Sequence, residues 1–220
     1  LRQPTAQRNR AGFHMTITYP LSLPTVTGVK DITLRATNAV AYDRSPFTFA
    51  GQAQAYAGQA WSADLSLPPM NRAQARVWTA WLTTLRGQFG TFLLGDPQAS
   101  TPSGVGGGSP IVSGAGQTGG QLDIAGATAS VTSWLRAGDY IQLGAAGTAT
   151  LHKVLEDVDT NGAGLATLEI WPYLRSSPVN GSTVILNNPQ GRFRLAANEV
   201  SWNISDAELY GISFAAMEAI

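Results

Sequence analysis

The 220-residue chain contains no cysteine, which excludes a disulfide framework and any thiolate metal site. Charge is scarce as well. Asp, Glu, Lys and Arg make up 13% of the residues, and the formal net charge is +0. An ordinary globular domain carries roughly 25%. Nucleic-acid binders draw much of their affinity from phosphate neutralisation, so the missing basic surplus argues against nucleic-acid specificity. Histidine occurs only as His14 and His152. No run approaches the roughly 18 apolar residues of a membrane span. Residues 1–14 hold Arg2, Arg8 and Arg10 but no apolar h-region, so they do not read as a secretory signal.

The hydrophobic share is 44%, enough for a real core. The length suits one larger all-β domain or two small ones. A surface this poor in Lys and Glu resembles the buried part of subunit interfaces, and copies of it repel one another little. Met15 opens a natural-looking start, MTITYPLSLP. Residues 1–14 then form a leader, or an arm that lies on a neighbouring subunit.

Alternation at period two predicts strands. Ile17, Tyr19 and Leu21 alternate, as do Ile32, Leu34 and Ala36 within Asp31–Val40. Pro46–Tyr56 reads as a pair of extended runs around Gly51. Trp61, Ala63, Leu65 and Leu67 alternate with polar residues as a half-buried strand. Pro68-Pro69 stops it. One helix follows at about 72–86. Asn71 is its N-cap, Gln74 completes a capping box, and Gly87 stands at C′. Its apolar stripe holds Ala73, Val77, Trp78, Trp81, Leu82 and Leu85, and the two tryptophans read as core.

Gly90–Asp96 is a short apolar strand. From Gln98 to Leu135 Asp123 is the only charged residue, and glycines crowd Gly104–Gly126, which begins as a linker and settles into β-like runs at Gln121–Ile124 and Ala129–Trp134. Tyr140–Leu143, Leu151–Val158, Leu165–Trp171 and Thr183–Leu186 are further strands, with hairpin signals at Asn161-Gly162 and Asn180-Gly181. Arg192–Ala196, Glu199–Ile204 and Tyr210–Ala215 complete the set. The fold class is therefore mainly β: a β-barrel or sandwich domain with one packed α-helix, plus a second small β-barrel domain. Residues 15–97 with 190–220 form the first domain, and 98–189 is inserted. Two consecutive domains, 15–97 and 98–220, are the alternative.

The motifs that carry chemistry fail on context. Gly114, Gly116 and Gly119 match GxGxxG, but a strand-like run follows instead of a helix. Asp157, Asp159 and Asn161 open like a calcium loop, yet its twelfth position is Leu168, not Glu. No GxSxG elbow accompanies His152. Asp139, Glu156, Asp157, Asp159 and Glu169 could pair as in a glycosidase, but surface turns account for them. No cofactor, metal site or catalytic residue is expected. Trp134, Trp171 and Tyr173 are the candidate contacts with a partner or a glycan, with core or interface packing as the alternative.

The segment WSADLSLPPMNRAQARVWTAWLTTLRGQFGTFLLGDP (61–97) resembles tail proteins of siphophages and prophages, as does the opening ITYPLSLP. GDYIQLG, LHKVLEDV, ATLEIWPYLR and GRFRLA, between Gly138 and Ala196, resemble the C-terminal half of such proteins more loosely. The family implied is the distal tail, or minor tail, class at the tail tip. The resemblance implies a structural, non-enzymatic virion protein assembled in the bacterial cytoplasm. It implies a ring, hexameric or trimeric, between the tail tube protein and the tip hub proteins. A receptor- or glycan-binding module of the adsorption apparatus is the alternative.

Overall fold

The computed structural model describes residues 17–205 and 208–220. Residues 1–14 and His14 lie outside the described residues. The chain is mainly β, with one α-helix, one open sheet and one nearly closed β-barrel. In chain order the elements are β1 (Asp31–Arg44), β2 (Gly51–Ser66), α1 (Arg72–Thr84), β3 (Phe92–Leu94), β4 (Gly108–Val112), β5 (Gly119–Ala127), β6 (Tyr140–Leu143), β7 (Thr150–Val154), β8 (Ala166–Leu174), β9 (Val184–Ile185), β10 (Gly191–Leu195), β11 (Trp202–Ile204) and β12 (Tyr210–Glu218). No described helix is long and apolar enough to cross a membrane.

The open sheet runs β1-β2-β12-β10-β3, with β11 pairing β12 alongside. On β2 the expected alternation holds: Trp61, Ala63 and Leu65 are buried and the residues between them are partly exposed. Helix α1 packs on this sheet. Both bonds of its capping box form, from Gln74 N to Asn71 Oδ1 (3.1 Å) and from Asn71 N to Gln74 Oε1 (3.3 Å). Trp81 meets Phe92 edge-on at 5.1 Å and Phe214 at 5.9 Å. Residues 17–30 lie over the helix: the Trp78 indole N–H donates to Thr27 Oγ1 and that of Trp81 to the Ser22 carbonyl, each at 2.8 Å. Each buried indole thus has its polar atom satisfied.

The second sheet runs β4-β5-β8-β7-β6-β9. A bridge between Ile111 and Thr183, with bonds from Val112 N to Ser182 O and from Gly181 N to Val112 O, joins its two ends. Closure removes the edges that an open sheet exposes. Val112, Leu122, Ile124, Trp134, Ile141, Val154, Leu168 and Ile170 fill the interior.

Several expectations change. Helix α1 ends at Thr84 with Leu85 as C-cap, so Arg86, at φ +52°, takes the C′ position one residue before Gly87, which is left-handed as well at φ +66°. Ala73 and Val77 are exposed, and the buried stripe is Ala75, Trp78, Trp81, Leu82 and Leu85. Leu21 makes only a bridge to Phe92, not a strand. Ala129–Trp134 is a loop, because Trp134 turns inward. Asn161-Gly162 does lie in the connection between the antiparallel strands β7 and β8, where Asn161 N donates to the Leu165 carbonyl, while β9 pairs β6 across the barrel. Pro46–Tyr56 is the largest departure: β1 and β2 run on past the sheet as one long hairpin.

The Gly-rich stretch expected to begin as a linker is held down by Asp139. Its carboxylate accepts from Ser103 N and Oγ (2.7 Å each), Gly104 N (3.2 Å) and Arg136 N (2.9 Å). Gly104 is required there, since a Cβ would come 2.5 Å from the Trp134 carbonyl. Burial alone would raise the Asp139 pKa, but these four donors outweigh it and hold the carboxyl below its ordinary value. Its contribution is therefore present above the unfolded carboxyl pKa of about 3.9 and fades as pH falls through that range. Asp139→Ala is expected to cost about 3 kcal/mol at neutral pH, read from urea unfolding midpoints. An unchanged midpoint would show that the cradle contributes nothing.

Candidate interaction surface

Past the sheet, the β1–β2 hairpin projects as a two-stranded arm. Its root lies at Asn38 and Gln59, where the register slips between Asn38 and Val40. From Asn38 to Arg44 it extends about 20 Å, at roughly 3.3 Å per residue. Side chains opposite one another share a face. Val40 faces Ala55 and Tyr42 faces Ala53, which makes one face apolar. Ala41 faces Gln54 and Asp43 faces Gln52, which makes the other largely polar. The Tyr42 ring lies across Gly51, where a Cβ would come 2.9 Å from a ring carbon. That close approach is what glycine permits at the first position of β2.

The tip is an ordered turn. Ser45 N donates to the Ala50 carbonyl and Phe49 N to the Ser45 carbonyl, each at 2.9 Å. The Arg44 guanidinium stacks 4.6 Å from the Phe49 ring centroid, and its Nε–H donates to the Phe49 carbonyl. Phe47 projects from the end and is 92% exposed, while Tyr42 is 65% exposed. Residues 37–60 contain only two charged side chains, Asp43 and Arg44. An isolated two-stranded hairpin is marginal in water. A charge-poor hairpin with an apolar face is therefore a surface that demands cover. Strand β1 is also the edge of its sheet, so its outer N–H and C=O groups have no ladder partner among the described residues.

The barrel braces the root of this arm. Trp171 Nε1 donates to Asn38 Oδ1 (2.7 Å), and Tyr173 N donates to Gln59 Oε1 (2.7 Å). Arg175 Nη2 donates to the Gln59 carbonyl at 2.7 Å. Behind it, Glu218 accepts both Arg175 Nη1 and Nη2 at 2.7 Å and the backbone N–H of Trp61 at 3.0 Å. Trp61 packs edge-on against Trp171 at 4.5 Å, and its indole donates to the Leu151 carbonyl at 2.9 Å. Tyr140 and Leu151 of the barrel thus belong to the apolar cluster of the open sheet.

The three aromatic candidates divide accordingly. Trp134 is fully buried, with its indole donating to the Gly107 carbonyl, so it is a barrel core residue and not a surface contact. Trp171 is partly buried between the sheets and braces the arm. Only Tyr173 presents a ring to solvent, at 43% exposure. The structure does not bring the three into one platform. Gly114 and Gly116 lie in the connection from β4 to β5 and Gly119 opens β5, the loop being closed by Gln117 bonding to Ser113 and Asp123. Asp157 and Asp159 accept from the backbones of Ala137 and Ser133, which explains them as loop anchors. Val40, Tyr42, Phe47 and Phe49 were not singled out from the sequence. Their signal is a run, 37–60, rich in Ala and Gln and nearly free of charge.

His152 lies in the same seam. Its Nδ1 is 2.8 Å from the Pro172 carbonyl, which can only accept, so Nδ1 carries the proton. Nε2 then accepts from Thr150 Oγ1 at 2.9 Å. Burial lowers its pKa to about 4; the Pro172 carbonyl and Glu218 oppose this, and Arg175 adds to it. The unfolded ring protonates near 6.5, so His152 supports the fold above that pH and loses its contribution as pH falls from about 6.5 to 4. The loss amounts to about 3 kcal/mol. His152→Gln is expected to flatten the pH dependence of the urea midpoint across this window. An identical slope in variant and parent would contradict the assignment.

Comparison with known protein families and with curated proteins finds no match to this chain.

Proposed function

We propose that this protein is a structural subunit of a bacteriophage tail tip, a distal tail protein that forms a ring between tail tube and tip hub. The observation that carries the assembling role is the braced hairpin arm. A charge-poor hairpin of 24 residues (37–60) supplies about the 20–30 residues that one side of a stable interface uses. The resemblance of 61–97 and 138–196 to siphophage tail proteins supports the virion setting. The paucity of charge fits permanent packing among neighbours. Assembly would take place in the bacterial cytoplasm, with copies of this chain, the tail tube protein and the hub proteins as partners.

A receptor- or glycan-binding role through Trp134, Trp171 and Tyr173 has weaker support, because Trp134 is interior, Trp171 is partly buried and, of the three, only Tyr173 offers an exposed ring. Light scattering of the full chain over a range of concentrations is expected to show a closed oligomer, three or six copies. Replacing residues 40–55 by a short turn is expected to leave a folded monomer. Monomers of the parent chain at every concentration would overturn the proposal.

A further inference from the structure

The arm ends in a knob, and the open sheet carries a cavity of matching size. A cavity of about 180 Å³ opens between β12 and the connection from β10 to β11. Leu195, Val200 and Phe214 supply its apolar wall, and Ser201, Ser213 and Glu199 its rim. The cavity opens to solvent and its wall is part apolar and part polar, and a space of this order holds a phenyl ring. Glu199 is exposed and forms no ion pair among the described residues. On the arm, Phe47 is the most exposed large apolar side chain described, and Arg44, two residues before Pro46, likewise makes no ion pair there. Two wider clefts, of about 420 and 440 Å³, carry no acidic side chain in their linings.

We propose that the occupant of this cavity is the hairpin tip of a second copy of this chain, with Phe47 seated against Phe214 and Leu195 and Arg44 facing Glu199. The tip stands about 20 Å beyond the sheet and is solvent-exposed, so it does not fill the cavity of its own subunit. Knob and socket are different surfaces, so the contact is head-to-tail, and repeated head-to-tail contacts close into a ring when the rotation permits. Each residue has a defined part. Phe47 supplies the buried aromatic anchor on which such interfaces depend, and the Arg44–Glu199 pair fixes orientation. The inference rests on the assembling role proposed above and names the surface that receives the arm.

The absence of native cysteine makes the test clean. Single-cysteine variants Thr48→Cys and Ser213→Cys are oxidised mildly, separately and mixed, alongside light scattering of the parent chain. A disulfide-linked pair is expected from the mixture and not from either variant alone. Phe47→Ala is expected to weaken self-association roughly tenfold or more. Arg44→Glu and Glu199→Arg should each weaken it, and the double exchange should restore it. Oligomers without the 48–213 cross-link, or a cross-link of Thr48→Cys with itself, would overturn this pairing while leaving the assembling role intact. Capture of a glycan or of another protein by the cavity, with oligomers unaffected by Phe47→Ala, would do the same. Monomers at every concentration would remove both.

Discussion

Glu218 holds the molecule together at the point where everything else meets. Its carboxylate, 8% exposed near the end of β12, accepts from both terminal nitrogens of Arg175 in the barrel and from the Trp61 backbone in the open sheet. A buried carboxylate is costly unless paired and fully hydrogen-bonded, and here it is both. Removing one partner of such a pair costs about 3–5 kcal/mol because the other charge is left stranded. Around it gather the Trp61–Trp171 contact, the Trp61–Leu151 hydrogen bond and the Arg192 guanidinium, which donates to the carbonyls of Gly147 and Ala219. The seam is therefore part core and part polar network, which fixes one relative placement of the two sheets.

That placement has a consequence for the arm. Trp171, Tyr173 and Arg175 lie in or just after β8, and all three reach the arm's root at Asn38 or Gln59. The barrel is a buttress. Its bonds to Asn38 and Gln59 hold the hairpin at the point where the register slips. Preorganising an interface element in this way lowers the ordering cost of association. His152 sits behind the same brace, its ring held between the Pro172 carbonyl and the Thr150 hydroxyl.

Much of the fold was legible in the sequence where burial imposes a period. Trp61, Ala63 and Leu65 alternate because one face of β2 meets the core, and the capping box of Asn71 and Gln74 marks the helix start directly. The arm was not legible for the opposite reason. Its residues meet no core, so Ala, Gln and Tyr follow one another without a strong buried period, and the run at 46–56 reads as two separate pieces. Helix termination misled through Arg86, which takes a left-handed conformation usually left to glycine. The aromatics Trp134, Trp171 and Tyr173 announce a β-module but not which way each ring points. Only the packing separates the core residue from the brace and from the exposed ring.

The assembling role depends most on the arm being an interface rather than a free projection. Amide hydrogen exchange along 37–60, followed as protein concentration rises, measures this directly. Slowed exchange at the outer-edge amides of β1 and at the tip, with the barrel core unchanged, is the predicted result. Fast exchange throughout the arm at every concentration would contradict it.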